Sequence, residues 1–348
     1  MNASAGPIAH LRRFGRPADT GVVSIRFDDG PITDLPFCRL FMRWGIPVEV
    51  AVPADYVDRP RRLRLSHLRR LITAGHTIAN HSFGHSAVPV GRAGAVSEIE
   101  RATQWFDEHR VPVWSFAQPG PWSGSGEASL DEPRHAASLG AALGGRYICL
   151  QGYATDLLLP VPIPDAARFG LSHVTIDAMP WRRLRALLEQ VVRERRFVQL
   201  VVHTAKCLKS AAGPLLAARI VRLARFLGWL EAQGQVACFS VAGAAFAKPG
   251  AGESLLEVAQ GAATKGEYAY RFKEPLVPGL SYRLQGDGQQ GGDLSVLLIN
   301  RGQGSQARLR VRRTAQGWVA RFGVMTPGDW ELTFSGGARG TTVALYAA

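Results

Sequence analysis

The chain has 348 residues, of which 46% are hydrophobic and 20% charged, as in an ordinary globular protein large enough for one α/β domain and a smaller one. The formal net charge of +13 favours anionic partners, such as acidic glycans, lipid-linked phosphates or a membrane face. The arginines are spread along the chain and no nucleic-acid-binding motif is present, so we do not expect a nucleic-acid partner.

The sequence features that report on compartment predict a cytoplasmic protein. Arg12, Arg13 and Arg16 lack the apolar stretch of a secretory signal after them, and no later run is long and apolar enough for a transmembrane segment. The cysteines lie far apart without paired spacing, which is typical of reduced thiols: Cys38, Cys149, Cys207 and Cys238. The sequence leaves the oligomeric state open.

Short β-branched segments alternate with amphipathic segments up to about residue 245. In chain order they are strand 22–25, helix 36–44, strand 47–52, helix 63–73, strand 77–80, helix 95–109, strands 113–117, 146–150 and 172–177, helix 181–195, strand 197–202 and helix 215–230. This alternation predicts a parallel βα barrel or a doubly wound sheet. For helix 215–230 we favour an outer helix with a solvated face over a membrane-surface helix.

Residues 249–348 have a different pattern, which begins near Lys248-Pro249-Gly250. Short alternating runs separated by glycine-rich turns predict a β-sandwich there. We therefore divide the chain into a catalytic domain, 1–248, and an accessory domain, 249–348, and expect the first to fold without the second. A glycan-binding module, an oligomerisation surface and a structural appendage are equally compatible with the accessory domain.

Two carboxylates and two imidazoles follow predicted strands. Asp28 and Asp29 come after the first strand, at the edge of the sheet where α/β enzymes place their chemistry. His81 and His85 follow strand 77–80. One carboxylate and two imidazoles are a usual set of ligands for a catalytic divalent metal.

These two stretches, Phe27-Asp28-Asp29-Gly30-Pro31 and His81-Ser82-Phe83-Gly84-His85, together resemble the first two motifs of a known family. It is the polysaccharide deacetylases of carbohydrate esterase family 4, or NodB-homology domains, and the resemblance covers roughly residues 20–245. It implies a distorted (β/α) barrel that holds one divalent metal, zinc first, with Co²⁺, Mn²⁺, Ni²⁺ or Fe²⁺ as alternatives. It implies Asp29, His81 and His85 as metal ligands and Asp28 as the general base.

Two later stretches resemble further motifs of the family. Leu200-Val201-Val202-His203 is similar to the fifth motif, which implies that His203 is the general acid. Asp177 begins a stretch similar to the fourth motif, although Pro180 replaces that motif's second aspartate. Asp177 is therefore the candidate partner of His203, and Asp156 is the alternative.

The third motif, Arg-x-Pro-Tyr in the family, is altered here to Ala117-Gln118-Pro119-Gly120. Without the arginine we expect the pKa of Asp28 to be less depressed than in the family, with Gln118 as a candidate to set it. The backbone N–H of Gly120 is available for an oxyanion hole. The aromatic candidates for stacking on a sugar ring are Trp122 and Trp181.

The resemblance implies a hydrolase that removes the acetyl group from an N-acetylated sugar or glycan, during surface-polysaccharide or O-antigen assembly. The substrate could be anionic or lipid-linked. Deformylation of a lipid-linked amino sugar is an alternative. An inactive glycan-binding protein is another, which the altered third motif favours and the five intact groups of the other motifs oppose.

Overall fold

The computed structural model describes residues 15–16, 20–85, 91–120, 139–143, 146–152, 168–171, 173–209, 211–241, 248–249, 256–258, 267–272, 276–286, 294–314, 317–335 and 343–347. The first eleven strands are β1 Gly15–Arg16, β2 Gly21–Phe27, β3 Glu49–Val52, β4 Thr77–Asn80, β5 Ser115–Ala117, β6 Cys149–Gln151, β7 Arg168–Leu171, β8 Val174–Thr175, β9 Phe197–Val202, β10 Val236–Cys238 and β11 Lys248–Pro249. The helices are α1 Asp34–Arg43, α2 Leu65–Thr73, α3 Gly91–Glu108, α4 Trp181–Glu194, α5 Lys206–Lys209 and α6 Gly213–Ala232.

Nine of these strands form one parallel sheet in the order β7-β6-β5-β4-β3-β2-β9-β8, and β10 pairs with β2 beside that path. All seven residues of β2 are buried, as expected for a parallel strand that is covered on both faces. The two strands at the ends of the path, β7 and β8, are separated in sequence by residues 172–173 alone. The sheet must therefore curl until its two edges approach, which confirms the predicted distorted (β/α) barrel.

The second part of the chain is all-β. Its strands are β12 Leu256–Val258, β13 Glu267–Phe272, β14 Ser281–Gly286, β15 Ser295–Asn300, β16 Ser305–Leu309, β17 Val311–Thr314, β18 Gly317–Gly323, β19 Trp330–Ser335 and β20 Val343–Ala347. They form two antiparallel sheets, β12-β13-β19-β15-β16 and β17-β18-β14-β20, around a shared apolar core. The predicted sandwich is confirmed.

The sandwich packs against the amino-terminal ends of the barrel strands. Trp114, which precedes β5, donates its indole N–H to the carbonyl oxygen of Pro278 at 2.7 Å. Cys149, at the start of β6, belongs to the same buried apolar cluster as Tyr282 of β14. The carboxyl ends of the barrel strands, where the predicted site residues lie, are at the opposite end of the barrel.

Within the described part of the chain, none of the helices has both the length and the apolar character that crossing a bilayer requires.

Candidate active site

Asp28 lies at the carboxyl end of β2 and is paired with an arginine of the same strand. Arg26 donates from Nε to Asp28 Oδ1 at 2.7 Å and from Nη2 to Oδ2 at 3.0 Å, and both side chains are buried. Residues two apart in a strand point to the same face, so one strand supplies both the carboxylate and its counter-ion. Burial opposes the charge of Asp28, but the Arg26 guanidinium outweighs it and holds the pKa of the carboxyl well below its usual range.

This pairing gives Asp28 an arginine counter-ion although residue 117 is an alanine, so Arg26 lowers the pKa of Asp28. Ala117 stands where the family has an arginine. It packs with Ala51 and Ala79 in a small buried cluster and has no charge to pair with Asp28. Arg26 reaches Asp28 from a different strand. The ion pair that the third motif lacks is therefore present in another form.

A network of buried polar side chains holds Arg26 in place. Arg26 donates from Nη1 to Gln151 Oε1 at 2.5 Å, and Gln199 donates to the same oxygen at 2.6 Å. Gln151 in turn donates from Nε2 to Glu49 Oε2 at 2.8 Å, and Ser115 donates to the other oxygen of Glu49. Because each side chain of this hydrogen-bonded network is buried, Arg26 has little freedom to leave Asp28.

Asp29, His81 and His85 meet at one point, with ligand atoms all within 4.8 Å of one another. Asp29 Oδ1 lies 3.0 Å from His85 Nε2 and 3.8 Å from His81 Nε2. This oxygen is buried, and its polar neighbours among the described residues are the two imidazole nitrogens. A buried carboxylate oxygen that faces two imidazole nitrogens fits a divalent cation.

The state of His81 suits a metal ligand. Its Nδ1 lies 2.7 Å from the carbonyl oxygen of Ala117, and this carbonyl can only accept, so Nδ1 carries the proton and Nε2 presents a lone pair towards Asp29. Burial lowers the pKa of His81 to about 4, which keeps the ring neutral at neutral pH. Neutral imidazole is the form that binds metals.

The backbone is strained at the same place. Asp29, Ser82 and His85 have left-handed φ angles of 74°, 66° and 58°, which are uncommon for residues other than glycine, although aspartate and histidine adopt them more often than most. Local bonds compensate: Ser82 Oγ accepts from the backbone N–H of His85 at 3.0 Å, and Arg62 donates to the carbonyl oxygen of Asp29 at 2.8 Å. These bonds hold the backbone on both sides of the point where Asp29, His81 and His85 meet.

His203 follows β9, whose last residue, Val202, pairs with Phe27 of β2. Asp177 accepts from the backbone N–H of His203 at 2.9 Å, lies 2.8 Å from its Nδ1, and accepts from Lys206 Nζ at 2.7 Å. Burial disfavours the protonated ring, but the hydrogen bond to Asp177 and the nearby carboxylates outweigh it and raise the pKa of His203. The arrangement is that of a protonated imidazole oriented by a carboxylate.

The remaining predicted residues are placed as follows. Gln118 is buried and donates from Nε2 to the carbonyl oxygen of Gly120 at 2.9 Å. Gly120 has φ +63°, and no atom of the described residues lies within 4 Å of the Cβ that a side chain would add there. Trp181 begins α4 and packs edge-to-face on Phe226 of α6 at 5.7 Å between ring centroids. Trp122 and the alternative partner of His203, Asp156, lie outside the described residues.

Sequence reasoning missed three basic residues at the site. Arg26 could have been found as a charged residue inside an apolar strand, two positions before Asp28. Arg62 stacks over the Tyr56 ring at 4.3 Å, and that ring in turn stacks on His85. His173 is buried beneath the site, and burial lowers its pKa to about 3. No spacing in the sequence connects Arg62 or His173 to the motifs.

The fold of the chain can be compared with solved structures. The chain is similar to carbohydrate esterases of family 4. One from Streptomyces lividans is 20% identical, with 64% of this chain and 94% of that chain covered and a TM-score of 0.40. The catalytic domain of a peptidoglycan N-acetylglucosamine deacetylase from Eubacterium rectale is 12% identical, with coverages of 66% and 92% and a TM-score of 0.42.

A family 4 pseudoenzyme from Bacillus anthracis is 14% identical, with coverages of 62% and 64% and a TM-score of 0.37. No protein-family model matches the sequence, and neither does any curated protein. The solved structures come from the family that the sequence motifs resemble, and they include both an enzyme and a pseudoenzyme.

Proposed function

We propose that this protein is a metal-dependent hydrolase that removes the acetyl group from an N-acetylated sugar or glycan. The observation that carries the proposal is the convergence of Asp29, His81 and His85, with ligand atoms within 4.8 Å of one another, next to a carboxylate that Arg26 keeps ionised. We place the activity in the cytoplasm, in surface-polysaccharide or O-antigen assembly, with zinc as the first candidate metal.

In this mechanism Asp29, His81 and His85 hold the cation. A bound divalent metal would polarise the acyl oxygen and lower the pKa of water from ~16 towards ~7. Asp28 accepts the proton of the attacking water on its carboxylate, because Arg26 keeps that carboxylate charged. The Gly120 N–H is the proposed donor to the developing oxyanion.

His203 completes the reaction by protonating the departing sugar nitrogen. Its raised pKa keeps the proton available, and Asp177 orients the ring and stabilises its charge. The C–N bond breaks as His203 gives up its proton, and the products are acetate and the free amine. Acid and base are thus on neighbouring strands, β9 and β2.

The inactive alternative loses its main support, because Arg26 supplies the ion pair that the altered third motif lacks. The test is the release of acetate and of formate from acylated amino sugars, with metal content measured by elemental analysis. Asp28→Asn and His203→Ala should each lower the acetate rate by ~10²–10⁴ with metal content unchanged. His81→Ala/His85→Ala should lose the metal.

Three outcomes would contradict the proposal. Equal metal content in the wild type and the His81→Ala/His85→Ala variant would remove the metal site. Activity of Asp28→Asn and His203→Ala within a few-fold of wild type would remove the acid–base pair. Formate release without acetate release would assign the protein to deformylation instead.

A further inference from the structure

The exposed large apolar side chains lie on two consecutive helices. Leu208 of α5 is 78% exposed, and Leu215 and Trp229 of α6 are 69% and 51% exposed. They are the large hydrophobic side chains that are exposed in the described part of the chain. Single exposed leucines are ordinary, but three such side chains on adjoining helices indicate a contact surface.

On α6 the exposed residues follow the helical repeat. Leu215, Ala218, Arg222, Arg225 and Trp229 are all exposed and are spaced alternately three and four apart, so they form one stripe. The stripe runs along most of a helix of 20 residues, about 30 Å long. It has an apolar residue at each end and two arginines between them.

Leu208 lies at the same end as Leu215. The start of α6 packs backbone to backbone on α5, since a Cβ on Gly213 would collide with the carbonyl oxygen of Cys207. Leu208 directly follows Cys207, and Leu215 is two residues beyond Gly213. We call Leu208, Leu215, Arg222, Arg225 and Trp229 the docking face.

The exposed charge on α5 and α6 has one sign. Between the start of α5 and the end of α6 the basic residues are Lys206, Lys209, Arg219, Arg222 and Arg225. The acidic residue of the same stretch is Glu231, which is 4% exposed and paired with arginines of the sandwich. Exposed apolar side chains on a basic surface are the composition of a helix that lies in a membrane interface.

Although the sequence favours a solvated outer face for helix α6, the exposed apolar side chains change that interpretation, and we propose that the docking face binds an anionic lipid bilayer. Leu208, Leu215 and Trp229 enter the interfacial region, while Arg222 and Arg225 meet lipid phosphates. A second copy of this chain fits less well, because a two-fold contact through this face would bring rows of like charge together. Nucleic acid would explain the arginines but not the leucines.

The docking face begins beside the proposed active site. Lys206, the first residue of α5, donates to the Asp177 carboxylate that orients His203. Arg219 of α6 donates to the carbonyl oxygen of the same Asp177 at 2.7 Å. Docking would therefore hold the mouth of the barrel close to the lipid headgroups.

The test is co-sedimentation of the full-length protein with lipid vesicles. One set of vesicles is made of phosphatidylcholine alone, and the other of equal parts of phosphatidylcholine and phosphatidylglycerol. The wild type should bind the anionic vesicles, less at high salt, and not the neutral ones. Arg222→Glu/Arg225→Glu and Leu208→Ser/Leu215→Ser/Trp229→Ser should each weaken binding by at least about tenfold.

The matched control is Arg308→Glu/Arg310→Glu, which changes the net charge equally at two exposed positions of the sandwich. Equal loss of binding in this control would overturn the proposal, since net charge alone would explain it. The proposal would also be overturned if the wild type did not bind anionic vesicles, or if the wild type formed a dimer that required Leu208, Leu215 and Trp229. The face would be assigned to nucleic acid if a duplex oligonucleotide displaced the wild type from the vesicles and if Leu208→Ser/Leu215→Ser/Trp229→Ser bound the vesicles as well as the wild type.

Circular dichroism should show that every variant is folded. Acetate release from a soluble N-acetylglucosamine oligomer, measured without vesicles, should be the same in the docking-face variants and the wild type. Loss of vesicle binding and loss of catalysis are thus separate results, so each proposal can fail without the other.

Discussion

At the residue scale, the pairing of Arg26 with Asp28 places the proposed general base and its counter-ion on the same strand. Adjacent strands of a barrel can shift relative to one another, but residues two apart in one strand keep their spacing. Gln151 accepts from the guanidinium nitrogen Nη1, and Gln199 holds Gln151 in place by donating to the same oxygen. The sequence showed only a charged residue in an apolar strand. Its partner Gln151, 125 residues away, could not be seen without the fold.

Replacing Arg26 tests this pairing. Arg26→Met leaves the Asp28 carboxylate buried without its counter-ion, so the free energy of unfolding should fall by ~3–5 kcal/mol. In an Asp28→Asn background the same change should cost clearly less, because no charge is left uncompensated. Urea denaturation of the four proteins measures the difference. Additive costs would mean that Arg26 stabilises the protein independently of Asp28.

Arg26→Lys is the conservative variant for the same position. It keeps the charge but cannot donate to both carboxylate oxygens. It should recover part of the stability and part of the acetate release that Arg26→Met loses. A purely structural role would predict recovery of stability without recovery of rate.

The pH dependence of the rate follows from His203. The proton donor must be protonated, and the raised pKa of His203 keeps it so to higher pH, with activity lost as the pH rises through that value. Asp177→Asn removes the main favourable contact, so burial dominates and the pKa falls. The basic limb of the rate profile should then move to lower pH. Glu189→Gln, an exposed change on α4, should leave the limb in place.

At the element scale, the order of strands and helices was predictable because the apolar periodicity is strong. The predicted segments 197–202 and 77–80 coincide with β9 and β4. Strand 113–117 shortens to β5, Ser115–Ala117, and β10, Val236–Cys238, was not predicted. Three-residue strands carry too little periodicity to distinguish them from a loop. The convergence of Asp29, His81 and His85 was predictable, since parallel strands end at one edge of the sheet.

What could not be predicted is how closely the two parts of the chain approach. Gly323 in β18 lies so near the end of α2 that a Cβ there would collide with the carbonyl oxygen of Ile72. Gly75, just after α2, has φ +90° and lies against the backbone of Phe322. A glycine in a sequence marks a special conformation or a close contact but does not say with which segment.

Gly323→Ala should therefore weaken the packing between α2 and β18. The added methyl has no space, and overpacking of this kind costs about 1–3 kcal/mol. Gly302→Ala is the matched control in the same sandwich, because the nearest atom, Asn300 Oδ1, would be 3.6 Å from the new Cβ. Thermal unfolding should show a lower midpoint for Gly323→Ala than for Gly302→Ala. Equal midpoints would mean that the interface adjusts without loss.

At the scale of the whole molecule, one buried carboxylate connects barrel and sandwich. Glu231, near the end of α6, accepts from Arg321 at 2.8 Å and from Arg283 at 3.3 Å, and lies 3.5 Å from Arg312. Arg321 also donates to the carbonyl oxygens of Gly45 and Cys238. The sandwich supplies the arginines and the barrel supplies all the acceptors, so each part completes the hydrogen bonds of the other.

This interface changes the expectation for a shortened chain. A protein ending at residue 248 would expose Cys149, Ile148 and the end of α2 to water, and it would leave Glu231 without its arginines. We now expect residues 1–248 to be aggregation-prone or only partly folded, by circular dichroism and size-exclusion chromatography. Glu231→Gln in the full chain separates the causes. It keeps the apolar interface but leaves three clustered guanidiniums uncompensated, at a cost of ~3–5 kcal/mol. A soluble, cooperatively folding 1–248 fragment with normal metal content would show that the barrel is independent after all, and that the sandwich only covers its amino-terminal end.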